Sequence, residues 1–245
     1  MKRKTGAVIL VLALLGILAA AVAGCGGGSS SVPSGAVATV GDTSITKAQV
    51  DELVTQAKAQ LKAQGSSYPK EGTAEYDQYT GQIVDYLVQL QVIAQSAAKN
   101  DVSVTDTEVK DQIAKMQDAY GGAKAFQAML KKAGMTQELL DWTIRSQLLT
   151  QKLQAKVVKD VKVTDAQLQA YWDAHKSALS KKKKTATFAK AKATIQTTLL
   201  QAAQDATWAA WLKQRAEEIG VVYAAGYDPA TLMASPSPST SPAGG

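Results

Sequence analysis

The chain has 245 residues, 20% of them charged and 46% hydrophobic, with only two phenylalanines. That balance suits one helical domain with a modest core and excludes a disordered chain. The formal charge of +6 includes Lys2, Arg3 and Lys4 in a leader read as removable, and without those three it is +3; so mild a charge does not imply a nucleic-acid partner, and none is expected.

Residues 1–30, MKRKTGAVILVLALLGILAAAVAGCGGGSS, begin basic, run apolar from Ala7 to Ala23 and place small residues before Cys25. This is the pattern of an export signal rather than of a folded element. An uncleaved membrane anchor is the competing reading, but the run falls short of the roughly 20 residues a spanning helix needs, and Gly16 and Gly24 weaken it. Val22, Ala23, Gly24 and Cys25 resemble the bacterial lipobox, which implies a signal peptide over 1–24, a lipid on Cys25 and the membrane as a partner through that residue. Acyl chains add about 0.8 kcal/mol of membrane affinity per buried methylene, so two or three hold a protein durably. Cys25 is the only cysteine; no internal disulfide can form, and a lipidated thiol cannot serve as a catalyst. Residues 25–35 then read as a flexible Gly/Ser tether.

Beyond the tether, AVATV at 36–40 is a strand candidate. Thr46 opens the first helix with Gln49 three residues later, the capping-box spacing, and Ile45 with Val50 forms a hydrophobic staple. Val50, Leu53, Val54, Ala57 and Leu61 share one face of that helix. A loop covers 65–81, with the second helix beginning near Thr73 and burying Ile83, Leu87, Leu90 and Ala94. Thr105 with Glu108 and Thr164 with Gln167 repeat the capping box, stapled by Val104 with Val109 and Val163 with Leu168. Thr136 keeps its staple, Met135 with Leu140, but has Leu139 where the Glu or Gln belongs. Phe126 and Leu130 are assigned to the core, and Ile144, Leu148, Leu149 and Leu153 share one helix face. A last helix runs from about 186 to 219 on a face of Ile195, Leu199, Ala202, Ala206, Ala209, Leu212, Ala216 and Ile219, and Gly220 ends it. VVYAA at 221–225 is the second strand candidate. Its position opposite 36–40 in the domain predicts that the two pair, so the expected fold is mainly α with a small two-stranded sheet joining the start and end of a domain over 36–230. The Ser/Pro-rich residues 231–245 read as a disordered tail.

A lipobox, VATVGDTSITKAQVDEL, a long helix pair, VSVTDTEV, AFQAMLKKAGMTQELLDWTIRSQLLTQKL and VKVTDAQLQAYWDAHK, in that order, resemble the N-terminal chaperone module of the SurA, PrsA and trigger-factor-like extracytoplasmic chaperones over roughly 36–228. In PrsA-like members a parvulin prolyl isomerase domain is inserted after the helix corresponding to VTDAQLQAYWDAHK. Here His175 and Phe188 are a dozen residues apart, so that insertion is expected to be absent near 180–187. The residues agree independently. Parvulin chemistry implies two histidines with a Cys or Asp, whereas this chain has one histidine and one cysteine. His175 fits a helix end, where its charge favours the dipole. No metal spacing, phosphate-binding glycine loop or dinucleotide fingerprint is present, so no cofactor, metal or catalytic residue is expected.

Two groups of residues invite a binding role. Lys181, Lys182, Lys183 and Lys184 are either a solvated connection or a contact for anionic lipid head groups or acidic wall polymers, at about 1 kcal/mol per lysine near a charged surface. No aromatic residues interleave with them to stack bases. Met116, Tyr120, Met129, Met135, Trp142, Tyr171 and Trp172 are candidates for an adaptable apolar client surface, with core packing as the competing role. The resemblance implies a lipid-anchored extracytoplasmic holdase for unfolded or exported polypeptides, performing no covalent chemistry. A scaffold for one dedicated envelope partner and a residual prolyl isomerase are the alternatives, and a homo-oligomer is compatible with either binding role.

Overall fold

Strand β1 (Ala36–Val40) buries Val37, Ala38 and Val40, and the chain reverses at Gly41 and Asp42 into β2 (Thr43–Thr46). Gly41 has φ +54°, and a Cβ there would lie 3.3 Å from Ile219 Cγ2, so both the turn and the close approach require glycine. In this computed structural model, which describes residues 32–182 and 187–234, β1 is the centre of an antiparallel sheet ordered β2-β1-β3. The third strand, β3 (Val221–Tyr223), sets Tyr223 opposite Ala38 and Val221 opposite Val40. The start and end of the domain therefore pair as predicted, but the sheet has three strands instead of two. TSIT was legible only as the approach to a helix; its last residue, Thr46, is both the end of β2 and the cap of the next helix.

The helices are α1 (Lys47–Ala63), α2 (Ala74–Lys99), α3 (Asp106–Ala119), α4 (Ala123–Lys132), α5 (Gln137–Val158), α6 (Asp165–Lys182), α7 (Phe188–Ile219) and the short α8 (Pro229–Ala234). Thr46, Thr105 and Thr164 each accept the backbone N–H of the residue three on, while Gln49, Glu108 and Gln167 accept the threonine's own N–H in return. Thr73 and Thr136 accept from the N–H groups of Tyr76 and Leu139 without the reciprocal bond. Each such cap contributes about 1 kcal/mol.

Three packed clusters hold these elements. The first joins the sheet to Val50 and Val54 of α1, to Val84, Leu87 and Val88 of α2 and to Ala216 of α7. The second is Val109 and Ile113 of α3, Phe126 and Leu130 of α4, and Leu140 and Ile144 of α5. The third packs Ile93 and Ala97 of α2 with Leu153 and Val158 of α5 and Trp208 of α7. Because α2 touches α1, α5, α7 and α8, it buries Val84, Val88, Val92 and Ile93 beyond the single predicted face. The predicted face of α7 is wrong in its middle: Ala202 and Ala206 are exposed and Trp208 is buried. That helix meets α6, α2 and α5 along its length, so one stripe at constant spacing cannot describe it.

Two connections complete the frame. The α2–α3 connector is held by cations of α5: Lys156 donates to the Asn100 carbonyl, Lys152 to that of Ser103 and Arg145 to that of Val104. Helix α8 crosses the domain end predicted at 230 and packs on α2, where a Cβ on Gly81 would sit 2.7 Å from Leu232 Cδ1. Among the described residues no helix is long and apolar enough to cross a membrane.

Candidate functional site: an apolar cleft between α1, α2 and α5

Helix α5 begins at the Thr136 cap, and its first two turns face in two directions. Leu140 enters the second cluster, while Leu139, 100° away around the helix, faces a cleft that it lines together with Leu53 of α1 and Leu87 of α2. These three leucines and Trp142 line a cleft of about 260 Å³, with Gln49, Glu52 and Glu138 also in its wall. That volume lies below the roughly 300–1,000 Å³ of small-molecule sites, and it suits inserted side chains better than a cofactor.

Trp142 is 38% exposed, and among the described residues only Tyr79 is a comparably exposed large hydrophobe. Tyr79 is engaged edge-on by Tyr68 at 5.6 Å, whereas Trp142 takes part in no ring contact with a described residue. Glu52 and Glu138 are exposed and make no ion pair with any described cation. By contrast Asp51 pairs with Lys47 at 2.7 Å, and Gln49 is committed to the α1 capping box.

The predicted client residues do not form one surface. Trp142 alone among them lines the cleft. Met116, Tyr120, Met129 and Met135 are half-buried against the second cluster, with the Tyr120 ring 5.7 Å from that of Phe126. Tyr171 stacks on His175 at 4.1 Å, and the His175 Nδ1 lies 2.8 Å from the Tyr171 carbonyl, a geometry in which that nitrogen donates. Trp172 meets Phe188 at 6.2 Å and joins α6 to α7. Lys181 and Lys182 end α6. Lys183, Lys184 and Cys25 lie outside the described residues.

Sequence reasoning missed Glu52 and Glu138 because a surface glutamate carries no local mark. Leu139 did carry one: an apolar residue at the capping-box position breaks the local pattern, and such departures gather at functional places.

No described group with a displaced pKa is among the residues that line the cleft. Burial pushes the Asp85 carboxyl up against the opposing effect of its bond from Gln89, and burial also raises the Tyr223 phenol, with the Asp85 and Asp228 carboxylates adding to it. The Lys152 ammonium and the Thr105 backbone N–H hold Glu108 down to about 2. None of these stands beside a nucleophile in a cleft, and among the described residues no three His, Cys, Asp or Glu side chains cluster to hold a metal. The arrangement offers binding surface, an exposed indole and unpaired negative charge.

The fold is that of a helical module whose small sheet joins its start to its end. Residues 1–154, well over half of the chain, match the SurA-like N-terminal domain. The chain belongs to that family. It is 31% identical over 183 residues to the foldase protein PrsA of Caldanaerobacter subterraneus subsp. tengcongensis, covering 72% of this chain and 53% of that protein. It is 29% identical over 163 residues to the PrsA foldase of Clostridium acetobutylicum, 63% of this chain and 49% of the relative. With the PrsA foldase of Clostridium perfringens the identity is 28% over 176 residues, 69% and 52% of the two chains. The chain thus spans about half the length of these curated relatives.

Proposed function

We propose that the protein is a holdase-type chaperone that binds unfolded or exported polypeptides in the α1–α2–α5 cleft. It works outside the cytoplasmic membrane, held there by a lipid on Cys25. The observation that carries the reading is Trp142, an exposed indole without a ring partner above a leucine-floored cleft. An unfolded chain offers apolar side chains in variable order, and an open cleft of side-chain size accepts them one or two at a time. The relatives named as foldases and the family membership support the same role. The lipid anchor is supported by the sequence around Cys25.

Prolyl isomerisation is not part of the proposed activity. A parvulin cluster needs two histidines, and this chain has His175 alone, occupied by its contact with Tyr171. Purified protein is expected to leave the slow isomerisation of a proline peptide, with its barrier near ~20 kcal/mol, at the uncatalysed rate.

Aggregation of several unrelated unfolded proteins, followed by light scattering, tests the main claim. Wild-type protein should suppress it, and Trp142→Ala should suppress it several-fold less while melting as a folded protein. Failure to suppress any client, or binding confined to one folded partner, would overturn the proposal in favour of a scaffold. Radiolabelled fatty acid should enter the wild type in cells and not Cys25→Ser.

A further inference from the structure

We infer that the cleft selects its clients by charge, preferring apolar segments flanked by arginine or lysine. This rests on the cleft being the client site. Three observations converge on it. The floor is apolar, made by Leu53, Leu87 and Leu139. Glu52 on α1 and Glu138 on α5 line the cleft on two different helices, and neither has a described cationic partner. Trp142 presents an exposed ring between floor and solvent. These carboxylates stand out on a chain whose net charge is +6, or +3 without Lys2, Arg3 and Lys4 of the leader.

A basic residue satisfies all three features at once. Its methylene stem lies along apolar surface while the charged head stays in water, and a guanidinium stacks on an indole face. A glutamate on the client would meet two like charges beside a low-dielectric wall. Lys47, the neighbouring cation on α1, is held by Asp51 and does not neutralise the cleft.

The test uses the whole protein and peptides with a common Ala-Leu-Phe-Ala-Leu core, flanked at both ends by arginine, by glutamine or by glutamate. Binding is read from the indole N–H resonance of Trp142, assigned through its loss in Trp142→Phe. The arginine-flanked peptide should bind about tenfold tighter than the glutamate-flanked one, with glutamine between, because two exposed charge pairs are each worth only a few-fold. The order should flatten between about 25 mM and about 300 mM salt. It should also flatten in Glu52→Gln/Glu138→Gln. Equal affinities in the wild type would overturn the charge preference and leave the cleft as a client site. A preference that survives the double substitution would overturn the role of these carboxylates. If no peptide moves the Trp142 resonance, the cleft reading fails as well. The salt titration of the wild type stands on its own if the double variant does not fold.

Discussion

At Leu139 the local helix cap and tertiary burial conflict. A glutamine there would complete the capping box at Thr136, a gain of a few tenths to 1 kcal/mol. It would also remove a side chain that is only 9% exposed from the leucine floor, a loss of about 2 kcal/mol. Leu139→Gln should therefore lower stability by about 1–2 kcal/mol in urea denaturation and weaken client binding. A stabilised variant would mean that the cap outweighs the floor. Gly81 presents the reverse case. Mid-helix glycine costs roughly 1 kcal/mol against alanine, yet a Cβ there would collide with the end of Leu232 at 2.7 Å. Gly81→Ala should keep or raise the melting temperature of the whole protein while loosening α8. Hydrogen exchange over 229–234 should accelerate, and unchanged protection there would show that Leu232 simply turns aside.

Among the elements, α3 depends on α5 through charge. Lys152 bridges Glu108 and the Ser103 carbonyl, and Arg145 bridges Asp106 and the Val104 carbonyl. The Glu108 carboxyl titrates near 2 in the folded protein and at about 4.5 as a free side chain. A lowered folded pKa gives stability that is complete above the unfolded value and lost as pH falls toward the folded one. The stability difference between wild type and Glu108→Gln should thus hold constant above about pH 5 and shrink between about pH 5 and pH 2. A difference independent of pH in that window would remove the ion pair from the account. The helix starts at Thr46, Thr105 and Thr164 were legible in the sequence because a capping box is complete within four residues. The cationic clamp was not, since its acceptors are backbone carbonyls of another segment, Asn100 to Val104. Helix α8 escaped notice for a similar reason: PATLMA is too short to show a period, and its partner Gly81 lies far away in the chain.

At the scale of the molecule, α6 and α7 are joined by the Trp172–Phe188 contact and the Asp165–Lys192 pair at 2.8 Å. Since those contacts hold the two helices together, residues 181–184 can be exchanged for a Gly/Ser linker of about thirty residues at a cost of only ~1–2 kcal/mol, because closure entropy rises about 0.6 kcal/mol per doubling of length. A comparable insertion at Leu148, which packs against the second cluster, should unfold the domain. Denaturation of both variants beside the parent decides the matter, and equal unfolding would place the junction among the structural contacts. The pairing of β1 with β3 was legible because both strands are β-branched runs at the ends of an otherwise helical sequence. The cleft was legible only as Trp142, because its walls come from three helices whose relative placement no local pattern carries.

The sheet also sets an order in time. β1 meets its second neighbour, β3, only when Tyr223 can reach Ala38, with nearly all the described residues between them. A chain that appears N-terminus first has until then a bare β1–β2 hairpin, and two strands alone are marginal in water. The second cluster draws on residues from Val109 to Ile144 only, so its loops close early and cheaply. The second cluster is therefore expected to gain hydrogen-exchange protection before the sheet in a pulse-labelled refolding experiment, with Val37, Ala38 and Val40 left as an unfinished apolar segment until then; simultaneous protection would remove this order. Under the proposed function, the chain is itself, until β3 arrives, an unfinished apolar segment of the general kind a holdase binds.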